Sequence, residues 1–234
     1  LVVAGGDGNA ALRGFGHRVS PQAFGHNGAD GQIAWADPAT GASGAAIVGT
    51  VLEQRLFTDV DQAEAATLGP DGYVYAYDCD GPPEGGWPTE YGPCTVARVL
   101  PAQAAQAGAY RYWNGSGWGS SRSASAAISM PDGPDGVTNL PVGGVTVGYD
   151  AVNDLYVMVY SPWPGFTEQL AIRVATSPQG PFSPPIIVSL PGCDDRSGGV
   201  EYHCYAATLQ PQLSTPPLRG AYVGGTVQLA LVRS

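Results

Sequence analysis

Three carboxylates in the sequence have the type and setting of catalytic acids or bases. Asp7 lies within Gly5–Gly8, where the flanking glycines would let a ligand approach the backbone. Glu201 precedes a predicted strand, and Glu168 opens another. Glycoside hydrolysis needs two carboxylates across a sugar, one as the acid and the other as the base or nucleophile. We expect Asp7 to pair with Glu201 or Glu168; an Asx turn at Asp7 and a rim ion pair at Glu201 are the structural alternatives.

Five further residues carry polar or aromatic side chains that could hold a substrate. Histidine and asparagine can bond to sugar hydroxyls, and tryptophan rings exposed on loops can stack against sugar faces. His203 follows Glu201 by two positions, so both side chains lie on one side of a strand. The pair could be an acid, Glu201, whose pKa is shifted by its neighbour, or a pair of metal ligands. For His26 and Asn27 the structural alternative is a turn before Gly28, and for the tryptophans it is packing in the core. The substrate-binding candidates are His26, Asn27, Trp87, Trp163 and His203.

Other catalytic classes find little support in the sequence. A Gly-x-Ser-x-Gly nucleophile elbow does not occur, and the glycine-rich segments lack the lysine and helix that follow a phosphate-binding loop. Three histidines without a His-x-x-x-His spacing argue against a zinc hydrolase. We therefore expect neither a metal site nor a cofactor.

The four cysteines form two local pairs, Cys79 with Cys94 and Cys193 with Cys204. Each pair flanks a loop rich in Gly, Pro and Asp between two predicted strands. Four cysteines allow three connectivities, of which local pairing is the simplest. Metal binding is the alternative, but no Cys-x-x-Cys motif occurs. We predict two disulfides and an exported, extracellular protein, because disulfides persist in oxidising compartments.

Charge and hydropathy restrict the partners of the chain. The 234 residues carry a formal net charge of −10, and every basic residue is an arginine. An acidic protein lacks the basic surface that binds nucleic acid or an anionic membrane, but it can bind a polysaccharide or another neutral glycan. No apolar run approaches the ~20 residues of a membrane-spanning helix, so we expect no membrane insertion. Because the first residue is Leu1 and not Met, we infer a processed or truncated chain.

A repeated pattern organises the sequence into strand-rich units. Ala-Ala-Thr-Leu occurs at Ala65–Leu68 and again at Ala206–Leu209, and three units close on a strand that carries an arginine, Arg98, Arg173 or Arg233. Repeats of this length indicate one supersecondary unit used several times, as in the blades of a β-propeller. The 34 glycines and 21 prolines favour many short strands over long helices.

The predicted fold is all-β, a single β-propeller domain over residues 1–234, with a sandwich or jelly roll as the alternative. The aromatic strands Tyr73–Tyr77 and Tyr156–Tyr160 lack alternation, so we expect both of their faces to be covered. Gly115–Ser125 is interpreted as a loop between blades. The predicted blades cover residues 1–56, 57–128, 137–190 and 200–234.

Several short motifs resemble those of a known family. The principal motif is Ala175–Ser183, and Gly5–Ala10, Phe24–Asn27 and Tyr110–Trp118 agree with it. They are similar to secreted five-bladed β-propellers of the glycoside-hydrolase type, especially an actinobacterial and fungal family long classed as a domain of unknown function. Some members of that family are endo-acting D-arabinan hydrolases. The resemblance implies a five-bladed propeller with about four blades in this chain, and an exported endo-glycosidase acting on a furanoside-containing polysaccharide such as arabinan.

A non-catalytic relative is the alternative function. The family tends towards His-Pro-Glu-Leu near the end of the domain, whereas this chain has Gln210-Pro211-Gln212-Leu213. The resemblance also leads us to expect an aromatic-x-Phe-Gly-Asp-Thr strand after Gly-Asp-Gly, but this chain has Arg13-Gly14-Phe15-Gly16-His17, and that aspartate is missing. Both differences remove ionisable groups from places where a site would use them. The same fold would then bind a glycan, or take part in an extracellular assembly by self-association, without catalysis.

Overall fold

The computed structural model describes residues 2–4, 12–17, 32–37, 50–57, 64–80, 91–164, 168–190, 204–209 and 229–233. These residues form antiparallel β-sheets joined by turns and short 3₁₀ segments, which confirms the all-β prediction. None of the helical segments in these ranges is long and apolar enough to cross a membrane.

Within the described ranges the strands assemble into four sheets, and in each sheet the strands follow chain order. The first sheet consists of β1 (Val2–Ala4), β2 (Leu12–His17), β3 (Gln32–Asp37) and β4 (Thr50–Phe57). The second consists of β5 (Ala65–Leu68), β6 (Val74–Asp80), β7 (Tyr91–Val99), β8 (Arg111–Trp113) and β9 (Trp118–Gly119). The third consists of β10 (Leu140–Asp150), β11 (Leu155–Trp163), β12 (Gln169–Ala175) and β13 (Ile186–Ser189). The fourth consists of β14 (Cys204–Leu209) and β15 (Leu229–Arg233).

Chain-order antiparallel sheets of four strands have the topology of a propeller blade. The four sheets lie within residues 2–57, 65–119, 140–189 and 204–233. Closure of the sheets into a ring, and a single domain over residues 1–234, stay predictions.

The turn between β5 and β6 shows how the sequence ends one strand and begins the next. Gly72 has a φ of +81°, a left-handed conformation that glycine adopts without steric cost. The Asp71 carboxylate accepts hydrogen bonds from the Tyr73 backbone N–H at 3.3 Å and from the Tyr75 hydroxyl at 2.6 Å. This Pro-Asp-Gly turn therefore sets the antiparallel register of the two strands, in which Leu68 lies opposite Val74.

The chain divides into two compact units. The first contains residues 1–78 and 95–126, and the second contains residues 79–94 and 127–234. In the first unit the rings of Phe57 and Tyr110 meet edge to face with their centroids 4.8 Å apart. They belong to a buried core that joins strands β4 to β8. Its members are Leu56, Phe57, Ala66, Val74, Ala76, Ala97, Val99, Ala104, Tyr110 and Tyr112.

The second unit has its own apolar core around Val159 and Leu170, which lie on the neighbouring strands β11 and β12. Leu209 of β14 packs against this core. The backbone N–H of Leu209 also donates a hydrogen bond to Oγ1 of Thr146 on β10, at 2.9 Å. A short polar contact and apolar packing therefore both hold β14 against the third sheet.

The two aromatic strands are covered on both faces over most of their length. Val74, Tyr75, Ala76 and Tyr77 are at most 3% exposed. In β11 the segment Met158–Tyr160 is fully buried. Successive side chains of a strand point to opposite faces, so continuous burial means that both faces are covered. The expectation from the missing alternation is confirmed for these residues.

Candidate functional site

A disulfide joins Cys79 on β6 to Cys94 on β7, which confirms the first predicted pair. The two cysteines are 15 residues apart. Restricting a loop of this length in the unfolded chain stabilises the folded state by about 3 kcal/mol. In the second predicted pair, Cys204 lies in β14 and Cys193 is outside the described residues, so that pair stays a prediction.

An open cleft of about 330 Å³ lies in the first unit. Two of its lining residues come from neighbouring strands, Asp78 from β6 and Thr95 from β7. The others come from the 3₁₀ turn Arg122–Ala124 and the residue after it. The volume is near the lower end of the range of small-molecule pockets in proteins. The residues that line the cleft are Asp78, Thr95, Arg122, Ser123 and Ser125.

Backbone hydrogen bonds fix the turn that completes the cleft. The N–H of Ser125 donates to the Arg122 carbonyl at 2.9 Å, which closes the turn. The N–H of Ala126 donates to the Trp113 carbonyl on β8 at 2.8 Å, which anchors the end of the turn to the second sheet. The interpretation of Gly115–Ser125 as a loop between blades is wrong in part, because the segment contains β9 of the second sheet as well as the 3₁₀ turn that brings Arg122 to the cleft.

An ion pair crosses the cleft from the sheet to the turn. Nη2 of Arg122 donates to Oδ2 of Asp78 at 3.2 Å. The Asp78 side chain is 13% exposed and that of Arg122 is 38% exposed, so the carboxylate is more withdrawn from water than the guanidinium. Among the described residues of the lining, the pair supplies one negative and one positive group.

Hydroxyl groups complete the lining. Oγ of Ser123 shares a hydrogen bond with Oγ of Ser121 at 2.9 Å. Oγ of Ser125 is buried and has no hydrogen-bond partner in the described part of the chain. Tyr112 lies close to the turn: burial raises the pKa of its hydroxyl, and the Arg122 guanidinium opposes that rise. The cleft therefore offers donors and acceptors of several geometries, together with one buried hydroxyl that is not satisfied.

A second polar feature of the first unit is an arginine held between aromatic rings. The guanidinium carbon of Arg98 lies 4.5 Å from the ring centroids of both Tyr73 and Trp118. Trp118 also contacts Trp113, with centroids 5.6 Å apart. Nε of Arg98 is buried without a hydrogen-bond partner in the described residues. These cation–π contacts have a packing role, because both rings are engaged with the arginine and Trp118 also contacts Trp113.

Two of the residues predicted to act on a substrate lie within the described ranges. Glu168 is exposed immediately before β12, and its backbone carbonyl accepts a hydrogen bond from the N–H of Leu190 at 2.7 Å. Trp163 ends β11 and is partly buried. The remaining predicted residues lie outside the described ranges, so their roles stay predictions. They are Asp7, His26, Asn27, Trp87, Glu201 and His203.

The residues of the cleft are not among the sequence-based candidates. Asp78 and Arg122 are 44 positions apart, and no local motif links them. One signal was available: Asp78 precedes Cys79, and Thr95 follows Cys94. A disulfide between two strands places the residues beside it on those strands, so these two could have been expected near one another. In the parts of the chain described here, no group of three or more His, Cys, Asp or Glu residues could hold a metal ion.

The sequence relates this chain to one family. Residues 26–226 match the family model described as Domain of unknown function (DUF4185). The chain belongs to this family. The match covers more than half of the 234 residues, and it agrees with the resemblance to a domain of unknown function that the motifs indicated. No curated protein matches the DUF4185 chain significantly in sequence.

The fold of the DUF4185 chain is similar to that of a solved structure. The crystal structure of a "putative hydrolase" from Bacteroides ovatus aligns with a TM-score of 0.57 and 16% sequence identity. The alignment covers 92% of this chain and 53% of the other, so the chain spans about half the length of that protein. At this level of identity the likeness establishes a shared fold.

Proposed function

We propose that this protein is an exported glycoside hydrolase of β-propeller fold that cleaves a furanoside-containing polysaccharide such as arabinan by endo-action. The observation that carries the proposal is the likeness in fold, over 92% of the chain, to a protein described as a "putative hydrolase". The short motifs around Ala175–Ser183 support a glycan as the substrate, since they resemble propellers of the glycoside-hydrolase type. The chain-order antiparallel sheets support the propeller part of the proposal, because each follows the strand order of a blade.

Two carboxylates carry the proposed reaction. Asp7 is one, and Glu201 is the preferred partner. Glu168 is exposed, and a general acid is normally withdrawn from water so that its protonated form persists near neutral pH. This exposure favours Glu201 over Glu168 as the acid. In the proposed mechanism the acid protonates the glycosidic oxygen while the second carboxylate acts as base or nucleophile at the anomeric carbon.

Substrate binding is assigned to polar and aromatic side chains around that pair. His26, Asn27 and His203 would bond to sugar hydroxyls. Trp87 and Trp163 would stack on sugar faces, and the partial exposure of Trp163 at the end of β11 leaves ring surface for such a contact. These assignments follow from residue type and predicted position.

An extracellular location is part of the proposal. The disulfide between Cys79 and Cys94 supports it, because structural disulfides form and persist in oxidising compartments and are rare in the cytosol. The net charge of −10 supports a neutral polysaccharide as the partner over nucleic acid.

The test is incubation of the purified chain with arabinan and related polymers, with new reducing ends as the readout. The proposal expects release by the native chain, and loss of release in Asp7→Asn and Glu201→Gln while the circular dichroism spectrum stays unchanged. Glu168→Gln is the matched carboxylate control and should retain activity. Loss of release in Glu168→Gln but not in Glu201→Gln would reassign the partner carboxylate. Absence of release from every polymer by the folded native chain would refute the hydrolase.

A non-catalytic glycan-binding role is the second candidate. One observation favours it: Gln210 and Gln212 stand where the family resemblance leads us to expect histidine and glutamate, so ionisable groups are missing there. In this role a polysaccharide in the gel would slow the chain in affinity electrophoresis, and the chain would not shorten the polysaccharide. It could also contribute to an extracellular assembly, for which a concentration-dependent sedimentation coefficient is the readout.

A further inference from the structure

We propose that one face of the second sheet binds the carboxylate of an acidic sugar residue, a uronate, through Arg98 and Arg111 beside the ring of Trp113. All three residues belong to the first compact unit. The proposal goes beyond the hydrolytic function above, because it concerns residues to which no catalytic role is assigned. It holds whether or not the chain cleaves a polymer.

Two arginines lie directly opposite one another on neighbouring strands of this sheet. Arg98 of β7 is paired with Arg111 of β8 in the antiparallel register. Their side chains therefore leave the same face, with Cβ atoms about 5 Å apart, and like charges in this position repel each other. Neither arginine forms an ion pair in the part of the chain that the structure describes, although the chain has 20 acidic and ten basic residues. A bound anion would relieve this repulsion.

The aromatic contacts of Arg98 leave its hydrogen-bond donors unused. The attraction of its guanidinium to the ring faces of Tyr73 and Trp118 supplies no acceptor oxygen for an N–H group. Within the described residues Arg98 makes no hydrogen bond, and Nε is the one nitrogen of its guanidinium that is buried without a partner. The terminal nitrogens therefore reach solvent. They form the end of the fork that binds a carboxylate with two parallel hydrogen bonds.

Arg111 adds a second positive charge and further donors. Its side chain is exposed, and Nη1 donates to the carbonyls of Gly108, at 3.1 Å, and Tyr110, at 2.9 Å. These are the hydrogen bonds that its guanidinium makes within the described residues, so Nη2 and Nε keep their donors for a ligand. Arg111 therefore strengthens the local field at Arg98 without being neutralised itself.

Trp113 gives the site a surface for the body of a sugar as well as for its charge. Arg111 and Trp113 are two positions apart on β8, so both side chains leave the same face. The Trp113 ring also contacts the Trp118 ring that holds Arg98. Trp113 is partly exposed, and such a ring can stack against the apolar face of a sugar. A uronate carries a carboxylate and a sugar ring in one residue, whereas inorganic phosphate would leave the tryptophan unused.

The net charge of the chain selects one uronate and not a polyanion. The Debye length is about 8 Å at physiological ionic strength, so a carboxylate held at Arg98 responds mainly to charges close to it. A polymer with a carboxylate on every residue would extend over the rest of a chain whose net charge of −10 repels it. The ligand is therefore an isolated uronate within an otherwise neutral glycan.

The experiment is a titration of the full chain with the methyl glycosides of D-glucuronate and D-galacturonate, followed by ligand-observed NMR. The methyl glycosides of D-glucose and D-galactose are the neutral counterparts, and inorganic phosphate is the anion without a ring. We expect at least one uronate to bind about tenfold or more tightly than its neutral counterpart, the gain expected for hydrogen bonds between charged groups. At about 1 M salt, where the Debye length falls to about 3 Å, this preference should decrease.

Substitutions of the two arginines separate the fork from the charge. Arg98→Lys keeps the charge but loses the planar fork, so it should weaken uronate binding about tenfold. Arg111→Gln removes an exposed charge close to the ligand and should weaken binding about fivefold, whereas Arg111→Lys keeps that charge and should bind nearly as the native chain does. Because Arg111 is exposed, its variants test the site even if Arg98→Lys fails to fold.

Arg122→Gln is the matched control, because it removes one positive charge from the same unit but on the other side of the sheet. Arg122 lies in the cleft lined by Thr95, and Thr95 and Arg98 are three positions apart on β7. Side chains separated by an odd number of positions leave opposite faces of a strand. Arg122→Gln should therefore bind the uronate as the native chain does.

Binding that is weakened in Arg98→Lys and Arg111→Gln but kept in Arg122→Gln supports the site. Binding is expected equally in Asp7→Asn, since cleavage of a polymer is measured separately. The site is wrong if the neutral sugars bind as tightly as the uronates, if phosphate binds more tightly than either uronate, or if folded Arg98→Lys and Arg111→Gln bind like the native chain.

Discussion

Arg173 donates a hydrogen bond from Nε to the hydroxyl oxygen of Tyr160 at 2.6 Å, and both side chains are fully buried. They lie diagonally on the adjacent strands β12 and β11, where Arg173 faces Met158 and Tyr160 faces Ala171 in the register. The Tyr160 hydroxyl donates in turn to the Asn139 carbonyl at 2.7 Å. The arginine is thus linked through a tyrosine to the segment that leads into β10.

The other donors of Arg173 extend this network to separate parts of the chain. Nη1 donates to the carbonyls of Pro131, at 2.7 Å, and Ser183, at 2.8 Å, and Nη2 donates to the carbonyl of Thr138. A buried charge is tolerated when its hydrogen bonds are satisfied. Here the acceptors are a hydroxyl and backbone carbonyls, so the arginine connects loop segments of the second unit to its sheet.

Replacement of Arg173 should strongly destabilise the second unit. Arg173→Met removes every donor and leaves buried carbonyls without partners, each costing about 1–3 kcal/mol. We expect a loss of at least about 3 kcal/mol in the free energy of unfolding, measured by urea denaturation. Arg173→Lys keeps the charge but cannot reproduce the planar fork, so it should be intermediate or equally damaging. Arg111→Gln, an exposed arginine, is the control. An Arg173→Met protein as stable as that control would contradict the proposed network.

Alkaline pH should unfold the protein through its buried tyrosines. Burial raises the pKa of Tyr110, and burial likewise raises the pKa of Tyr160, although the nearby Arg173 opposes the rise. Because the folded-state pKa exceeds the unfolded value, the unfolded chain releases these protons first. The stabilising contribution is complete below the ordinary tyrosine pKa of about 10 and is lost as pH rises above it. Each tyrosine contributes a slope of about 1.4 kcal/mol per pH unit in that window.

Tyr110→Phe checks this dependence directly. The variant loses the hydrogen bond from its hydroxyl to the Ala104 carbonyl, at 2.7 Å, so it should be less stable than the native chain at pH 7. Its free energy of unfolding should nevertheless fall less steeply between about pH 10 and 12, because one buried acid is gone. Urea denaturation across that pH range gives both slopes. Equal slopes would show that Tyr110 does not contribute to alkaline unfolding.

The strand repeats were predictable because they rest on local signals. Gly and Pro punctuate the turns, as in Pro70-Asp71-Gly72, and the missing alternation of Tyr73–Tyr77 indicated two covered faces. The arginine on the third strand of two sheets was also visible. Its environment was not, since Arg98 stacks between aromatic rings and Arg173 bonds to carbonyls. Segments that are distant in the sequence determine the different surroundings of these two arginines, and no periodic pattern in the sequence indicates those contacts.

The candidate site was predictable only in part for the same reason. The short spacing of Cys79 and Cys94 allowed their pairing to be predicted, because local disulfides close loops between adjacent strands. The ion pair between Asp78 and Arg122 joins residues on different elements. A charged residue in a serine-rich loop has the same sequence pattern whether it lies in solvent or completes a cleft, so only tertiary structure identifies it.

Removal of the disulfide should lower stability without changing the strand content. Cys79→Ala combined with Cys94→Ala frees the loop in the unfolded chain, at a cost of about 3 kcal/mol. Urea denaturation should show the loss, and far-ultraviolet circular dichroism should be unchanged at low urea. Peptide mapping without reductant should give a Cys79–Cys94 linked pair. Recovery of Cys79 linked to Cys193 or Cys204 would contradict this connectivity.

Ser125→Ala should stabilise the protein. The Ser125 Oγ is buried and has no hydrogen-bond partner in the described part of the chain, so the folded state bears the cost of removing a hydroxyl from water without compensation. That cost is about 1–3 kcal/mol, and replacing the hydroxyl with hydrogen should recover about 1 kcal/mol after the small loss of packing. The backbone N–H of residue 125 still bonds to the Arg122 carbonyl, so the turn is kept. Ser123→Ala is the matched control, because its exposed hydroxyl has a partner in Ser121 and its loss should change stability little. A fall in the urea midpoint of Ser125→Ala relative to Ser123→Ala would mean that its hydroxyl is satisfied in solution.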